Sequence, residues 1–458
     1  MRRSAAFVAT MLLLAGCATE PGPEPPAIDQ ADATHASVNV LSAVVTVRAR
    51  FADSVFVRFG TVGAGVLDSV SPAVRVTDGS ATIPVLGLLA GTAYVLRVTA
   101  GGPGGTTQSK LLYLTTDVLP SDLPQYTAGG TDPSPGYVVF AAAGYGLAID
   151  NTGRVVWYVR LADPVTLNFE PQPTGRYYTR PTTPTTPIPW LELDPLGNVT
   201  RTLGCARGLV PRFHDLIARP DGSYWIMCDE TRVMDLSADG GVAEARVTGT
   251  VVQHIGADQS LLFEWSPFDH FAIDDLDPAN RTGANVNWTH GNAIDLDADD
   301  NLLISFRSLS EVTLIDTRTG AVRWRMGGRA NQFTFSKPMP PFEHQHGVRA
   351  AGRGHIMLLD NLGEAGSSRG ERYAVNEEAL TVELEASAIA APATVAQLGG
   401  TTQQLPGGRV LVAFGNGDRV HEFDASGAIV WEIHGDPGYV FRAQRIQSLY
   451  DPGSGFAR

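Results

Sequence analysis

One phrase recurs along this chain and limits what it can fold into: apolar, Asp, two or three turn residues, Gly, three residues of which at least two are apolar, Trp. It reads "LAIDNTGRVVW" up to Trp157, "LIDTRTGAVRW" up to Trp324 and "HEFDASGAIVW" up to Trp431, with weaker copies over Leu191–Arg201 and after Met234. Each copy is a strand, a tight turn and a second strand. A second phrase alternates with it, opening on a polar residue and turning at Gly or Asp: "HDLIARPDGSYWIMCDE", "NAIDLDADDNLLISFR", "HGVRAAGRGHIMLLDN", "GTTQQLPGGRVLVAFG". Two alternating hairpins make a four-stranded module, and such modules bury their faces only by stacking on one another. Amphipathic helical patterns are scarce. The expected fold is all-β: a six-bladed β-propeller over residues 136–458, with seven blades as the alternative count.

The region before the repeats reads differently. Residues 37–117 hold short β-branched strands between turns and predict a small β-sandwich. Its "LLAGTAYVLRVTA" resembles the later strands of a fibronectin type III domain, with Tyr94 as the corner tyrosine. Residues 18–36 are Pro-rich and polar, and read as a tether; residues 118–135 read as a linker. At the start, Arg2 and Arg3 precede a short apolar run that ends in "LAGC". This resembles a bacterial lipobox, so residues 1–17 are expected to be a lipoprotein signal and Cys17 the lipidated mature N-terminus. The expected location is the cell envelope, lipid-anchored to a membrane and facing the periplasm or the cell surface. No other stretch is long and apolar enough for a membrane helix. Cys205 and Cys228 remain, and an oxidising envelope would allow them to pair, which spacing alone does not establish.

The formal charge of −14, with no Lys/Arg-rich run, argues against nucleic acid as a partner. An anionic ligand would need a local cationic pocket. Aligning the second phrase on its turn residue makes Gly222, Asp300, Gly354 and Gly408 equivalent. Eight residues earlier stand His214, Asn292, His346 and Gly400. In a propeller the innermost strands face the axis, so these positions are expected at one level around a channel. Two residues earlier, on the same strand face by alternation, stand Arg212, His290, His344 and Leu398. Arg307 ends the strand that pairs with the one after His290, so the two are expected to meet at one rim.

Other motifs carry less. "DLDADDN" at Asp295–Asn301 opens like a calcium loop, but Asp300 stands where an EF-hand needs Gly and Phe306 where it needs Glu. "GSSRG" at Gly366–Gly370 matches a nucleophile-elbow pattern without the strand and helix that position one. No phosphate-cradling glycine loop is present. The channel histidines lack an evident carboxylate partner, so no metal is expected there.

Four stretches, "FHDLIARPDGSYWIM", "WTHGNAIDLDADDNLLISFRSLSEVTLIDTRTGAVRWRMGG", "EHQHGVRAAGRGHIMLLDN" and "GTTQQLPGGRVLVAFGNGDRVHEFDASGAIVWE", resemble the bacterial arylsulfate sulfotransferases in content and order. The resemblance spans roughly residues 136–435. It implies a six-bladed propeller behind an N-terminal β-domain, and transfer of a sulfuryl group from a phenolic sulfate ester to a phenol acceptor. The transfer would run by a ping-pong route through a sulfohistidine, without phosphoadenosine phosphosulfate or another cofactor. By motif, His346 matches the nucleophile, and His290, Arg307 and His214 match the residues around the sulfuryl group. Asn292 and Thr402 stand at polar substrate positions, with His344 and Arg212 beside them. A homodimer is among the expected assemblies. The reading set against this is a non-catalytic propeller lipoprotein that binds an anionic ligand or scaffolds an envelope complex. A quinoprotein dehydrogenase, suggested by the Trp-bearing repeats, would need more blades and a cofactor–calcium site that the sequence does not show.

Overall fold

The computed structural model describes residues 22–181, 188–336, 342–363 and 366–453. Cys17 and the signal segment lie outside the described residues. Among those described, the structure is β throughout, and helix is confined to single 3-10 turns.

The chain forms two compact units. One comprises the chain through Ala33, Val45–Ile83 and Val95–Tyr113; the other comprises Thr34–Val44, Pro84–Tyr94 and everything from Leu114 onward. The N-terminal region holds a three-stranded and a six-stranded sheet. Tyr94 Oη accepts the Leu89 N–H at 2.8 Å. Two boundaries differ from expectation. The segment read as a tether contains a strand, Ala27–His35, which pairs along one edge of the three-stranded sheet; an edge strand tolerates polar side chains that a central one would not. Residues 34–44 and 84–94 group with the C-terminal unit, where Val40 N–H donates to Tyr158 Oη at 3.2 Å and Leu86 N–H to Tyr450 Oη at 3.0 Å.

Among the described residues, the larger unit holds six sheets of four or five strands. Their first strands are Asn168–Gln172, Val210–Ala218, Gly291–Leu296, His346–Ala350, Thr401–Gln404 and Ala443–Ile446. We number the sheets 1 to 6 in that order. Each first strand adjoins that of the next sheet, and the first strand of sheet 6 also adjoins that of sheet 1, so the circuit closes. Closure joins the two ends of the unit. Sheet 6 adds Tyr137–Ala142, Tyr145–Ile149 and Val155–Arg160 to the late strand Ala443–Ile446, and Thr127–Gly129, from the expected linker, becomes the outermost strand of sheet 5. A ring closed in this way leaves no sheet stack with an open end.

The repeated phrase now has a physical meaning. Asp150, Asp194, Asp316 and Asp424 each accept, through Oδ1, the N–H two residues on. This is an Asx turn, and the following Gly153, Gly197, Gly320 and Gly427 all have positive φ, which glycine adopts without strain. In two of the copies the terminal Trp locks neighbouring sheets: Trp157 Nε1 donates to Pro195 O at 2.8 Å and Trp431 Nε1 to Asn151 O at 2.9 Å, each in the turn of the next sheet. All three repeat tryptophans are buried.

The first strands expose one edge to the centre of the ring, and side chains complete its hydrogen bonds. Gln172 Nε2 donates to Leu216 O at 2.7 Å, Asp215 Oδ2 accepts Ile294 N–H at 2.9 Å, and Asp295 Oδ2 accepts Ala350 N–H at 3.0 Å. Gln403 Oε1 accepts Arg445 N–H at 2.6 Å. Between sheets 4 and 5 the backbones come close instead. A Cβ on Gly347 would lie 2.8 Å from Gly400 O, and one on Gly400 would lie 2.0 Å from Leu359 Cδ2.

Candidate active site

The turn residues used for alignment, Gly222, Asp300, Gly354 and Gly408, all have positive φ, so the register read from sequence is the register of the structure. The strands above those turns are not regular. Opposite their partners they slip between Pro211 and Leu216, between Gly291 and Ala293, and between His346 and Arg349. These are bulges, and bulges re-aim side chains. His290 and His344, expected to lie on the same strand face as Asn292 and His346, precede their strands with φ of 45° and 52°. Simple alternation therefore fails at both positions, because the backbone there is left-handed rather than extended.

The bulges and the left-handed residues gather the imidazoles of three sheets. His290 Nε2 lies 3.3 Å from His214 Nε2, with ring centroids 5.0 Å apart and edge to face. The other nitrogen of His290 is 2.6 Å from Asn287 Nδ2. His346 Nδ1 lies 2.9 Å from Asn361 Oδ1 and 3.1 Å from the His344 carbonyl. Among the described residues its Nε2 makes no hydrogen bond. Arg307 N–H donates to His290 O at 3.0 Å, which is the meeting of strand ends anticipated from sequence; its guanidinium is half-buried, with Nη2 3.4 Å from Gln397 O.

Electrostatics favour neutral rings. Burial is the largest cause for all three. It holds His214 and His290 well below the ordinary histidine value, with Arg212 adding to the depression in both. His346 is lowered to about 3: its bond to Asn361 works the other way, and Arg307 and Arg442 push it further down. His344 is also lowered, by burial and then by Arg307. A neutral imidazole retains a lone pair at pH 7, which is what a nucleophile or a base requires.

The remaining expected residues are placed less directly. Arg212 is buried but ion-paired with Asp229. Asn292 Nδ2 donates to Gln345 O at 2.7 Å, while its buried Oδ1 has no hydrogen-bond partner among the described residues. Thr402 is buried on the first strand of sheet 5 with its methyl against Gly370, and no hydrogen bond joins it to the imidazoles among the described residues. His344 N–H donates to Ser310 Oγ at 3.1 Å.

Several residues were not anticipated. Phe441 stands over the site, 5.8 Å from the His214 ring and 6.4 Å from that of His346, with Tyr439 6.4 Å from Phe441. A buried charged group spans the ring. Asp215 contacts Arg349 at 3.0 Å and Arg442 at 2.7 Å, and Arg442 contacts Glu170 at 3.1 Å. Arg442 Nη2 also donates to Asn292 O at 3.0 Å. These four side chains come from or adjoin the first strands of sheets 1, 2, 4 and 6, and none is more than 3% exposed. The only sequence signal was a set of charged residues inside otherwise apolar strands.

Of the weaker motifs, Asp297 caps its own turn by accepting the N–H groups of Asp299 and Asn301 at 2.8 Å. In "GSSRG", Ser368 Oγ donates to Asn361 O at 2.7 Å and Arg369 pairs with Asp360 at 2.7 Å, so both residues tie down a loop. Cys205 and Cys228 form a disulfide with Cα atoms 6.2 Å apart. Among the described residues no cluster of three or more His, Cys, Asp or Glu is arranged to hold a metal.

The arylsulfotransferase (ASST) family model matches residues 210–436. Among solved structures, the chain is similar to a protein of unknown function from Bacteroides caccae, at 12% identity and a TM-score of 0.40, over 65% of this chain and 93% of that one. It is similar to a streptogramin B lyase at 13% identity and a TM-score of 0.40, over 69% and 85%. It is similar to virginiamycin B lyase from Staphylococcus aureus at 12% identity and a TM-score of 0.37, over 67% and 84%. Likeness this distant says nothing of activity. No curated protein matches the chain. Over residues 210–436, the stretch that carries His214, His290, Asn292, Arg307, His346 and Thr402, the chain belongs to the arylsulfotransferase family.

Proposed function

We propose that the ring of six sheets is a six-bladed propeller and that it transfers a sulfuryl group from a phenolic sulfate ester to a phenol, by double displacement through His346. The observation that carries this reading is the grouping of neutral His214, His290 and His346 with cationic Arg307. Sulfuryl transfer resembles phosphoryl transfer, with charge spread over equatorial oxygens in a loose in-line transition state. Positioning and charge stabilisation then supply most of the catalysis. Arg307 keeps its charge and offers a planar fork for two oxygens; the His290 ring offers a third contact. His346 attacks sulfur, the ester O–S bond breaks, and the phenolate leaves with the electron pair. His214 is the candidate to return a proton to it and later to take one from the acceptor. Burial holds His214 neutral, but a bound sulfate would shift the balance, because a nearby anion favours the charged imidazole.

The charged group of Glu170, Asp215, Arg349 and Arg442 supports double displacement in particular. It joins side chains of four sheets across the ring; on this reading it closes the ring behind the imidazoles, so donor and acceptor would use one mouth in turn. Asn292, Thr402, His344 and Arg212 would border the substrate. The Cys205–Cys228 disulfide fits an oxidising envelope compartment, and the reading includes a lipid anchor at Cys17, which Cys17→Ser would release from membranes. The direct test is kinetic. With a chromogenic aryl sulfate and phenol, double-reciprocal plots at several acceptor concentrations should be parallel. Intersecting lines would mean transfer within a ternary complex, and no turnover with any aryl sulfate would favour the binding-protein reading.

A further inference from the structure

We propose that Asn361 is a positioning residue that keeps the proton of His346 on Nδ1 through both half-reactions, so that Nε2 is the nucleophile and the sulfated intermediate stays cationic on its ring. The proposal rests on the reading of His346 as the group that carries the sulfuryl.

The orientation of one amide fixes the tautomer. Asn361 Nδ2 donates to Ala396 O at 2.8 Å and to Gly399 O at 3.0 Å. Flipping the amide would set its oxygen against two carbonyl oxygens, so Oδ1 must face His346. The surrounding loop is fixed as well. Ser368 Oγ donates to Asn361 O at 2.7 Å and accepts Ala396 N–H at 2.7 Å, and both Asn361 and Ser368 are fully buried. His346 Nδ1 thus faces two acceptors, Asn361 Oδ1 and His344 O, and no donor. Only an N–H satisfies that pair, which leaves the lone pair on Nε2.

The consequence lies in the intermediate. When Nε2 takes the sulfuryl group, an N–S bond forms, the ester O–S bond breaks, and the phenolate carries off the electron pair. The ring still holds its Nδ1 proton and is an N-sulfoimidazolium. Neither a carboxamide nor a peptide carbonyl can remove that proton. In the second step the acceptor oxygen attacks sulfur, the phenolic proton goes to base, and the N–S electron pair returns to a neutral imidazole. Were Nδ1 deprotonated, the leaving group would be an imidazolate, and the intermediate would be inert. A carboxylate in this place could take the proton; an asparagine cannot.

The first test uses the resting protein. Histidine-selective 15N NMR should show His346 as the Nδ1–H tautomer from pH 6 to 9. An Nε2–H tautomer overturns the proposal. Because no substrate is present, an Nδ1–H ring in a protein without transferase activity would sink the functional reading while leaving the tautomer assignment standing. The second test is Asn361→Asp with an aryl sulfate. The first phenol should still be released as a burst, and the second half-reaction should slow about tenfold or more, the scale seen when the partner behind a metal-ligating histidine is changed. An unchanged second step overturns the proposal. If that variant does not fold, the wild-type spectrum decides alone.

Discussion

Two layers of side chains lie next to each other on the first strands of the ring, and they are built on opposite rules. In the lower layer every charge has a countercharge: Asp215 meets Arg349 and Arg442, and Arg442 meets Glu170. In the upper layer His214 and His290 touch each other, His346 meets an asparagine, Phe441 lies near the His214 and His346 rings, and none of the three histidines is ion-paired to a carboxylate among the described residues. His214 and Asp215 are adjacent in sequence, yet one belongs to each layer. Compensated charge inside the ring fixes the relative positions of strands from four sheets. Neutral imidazoles leave lone pairs, and Arg307 beside them supplies the attraction for an anion. The strand that carries His214 and Asp215 slips out of register between Pro211 and Leu216.

The comparison predicts different costs in the two layers. The largest effect should come from His346→Ala, which removes the nucleophile and should lower turnover by roughly 10³-fold or more while leaving the fold intact. His344→Ala should retain a measurable fraction, since His344 contributes a backbone carbonyl to His346 that the substitution keeps. Equal loss in both variants would break the distinction between them. Next comes Arg349→Leu in the charged layer. It strips Asp215 of one partner and should cost about 3–5 kcal/mol of stability in denaturant unfolding, the usual range for breaking a buried pair. A loss under about 1 kcal/mol would mean that the lower layer does not hold the ring together.

The smallest effect is a pH dependence that belongs to the upper layer. His346 has a folded value of about 3, below its ordinary 6.5. Below 6.5 the unfolded chain binds a proton that the native site refuses, so stability falls as pH drops from 6.5 toward 3. The slope approaches about 1.4 kcal/mol per pH unit for each such histidine. Unfolding midpoints at pH 7.5, 6 and 5 should show the decline, and His346→Gln should lessen it. An identical slope in the variant would contradict the neutral-imidazole description.

Much of this arrangement could be read before any coordinates. The turn alignment that paired His214 with Asn292 and His346 needed only glycine and aspartate positions, because those turns require positive φ. Arg307 and His290 met because strand ends in a hairpin must meet. Other features had no local signal. Asn361 follows an ordinary apolar strand, and its importance depends on carbonyls at 396 and 399. Arg442 finds Glu170 and Asp215 across 272 and 227 residues of sequence, a distance over which pattern carries no pairing information. The alternation that placed His290 and His344 on regular strands failed because left-handed residues and bulges are invisible to a period of two. The strand at Ala27–His35 was hidden by its polar composition.

The central claim is that His346, and no neighbouring side chain, carries the sulfuryl group. The most direct measurement is peptide mass spectrometry of protein treated with an aryl sulfate in the absence of acceptor and digested without acid. The account predicts an added sulfuryl group on the peptide bearing His346, with fragments placing it on that residue, and its disappearance when phenol is added. A stable label on His344, His290 or His214 that phenol discharges would contradict it, as would phenol release with no labelled histidine.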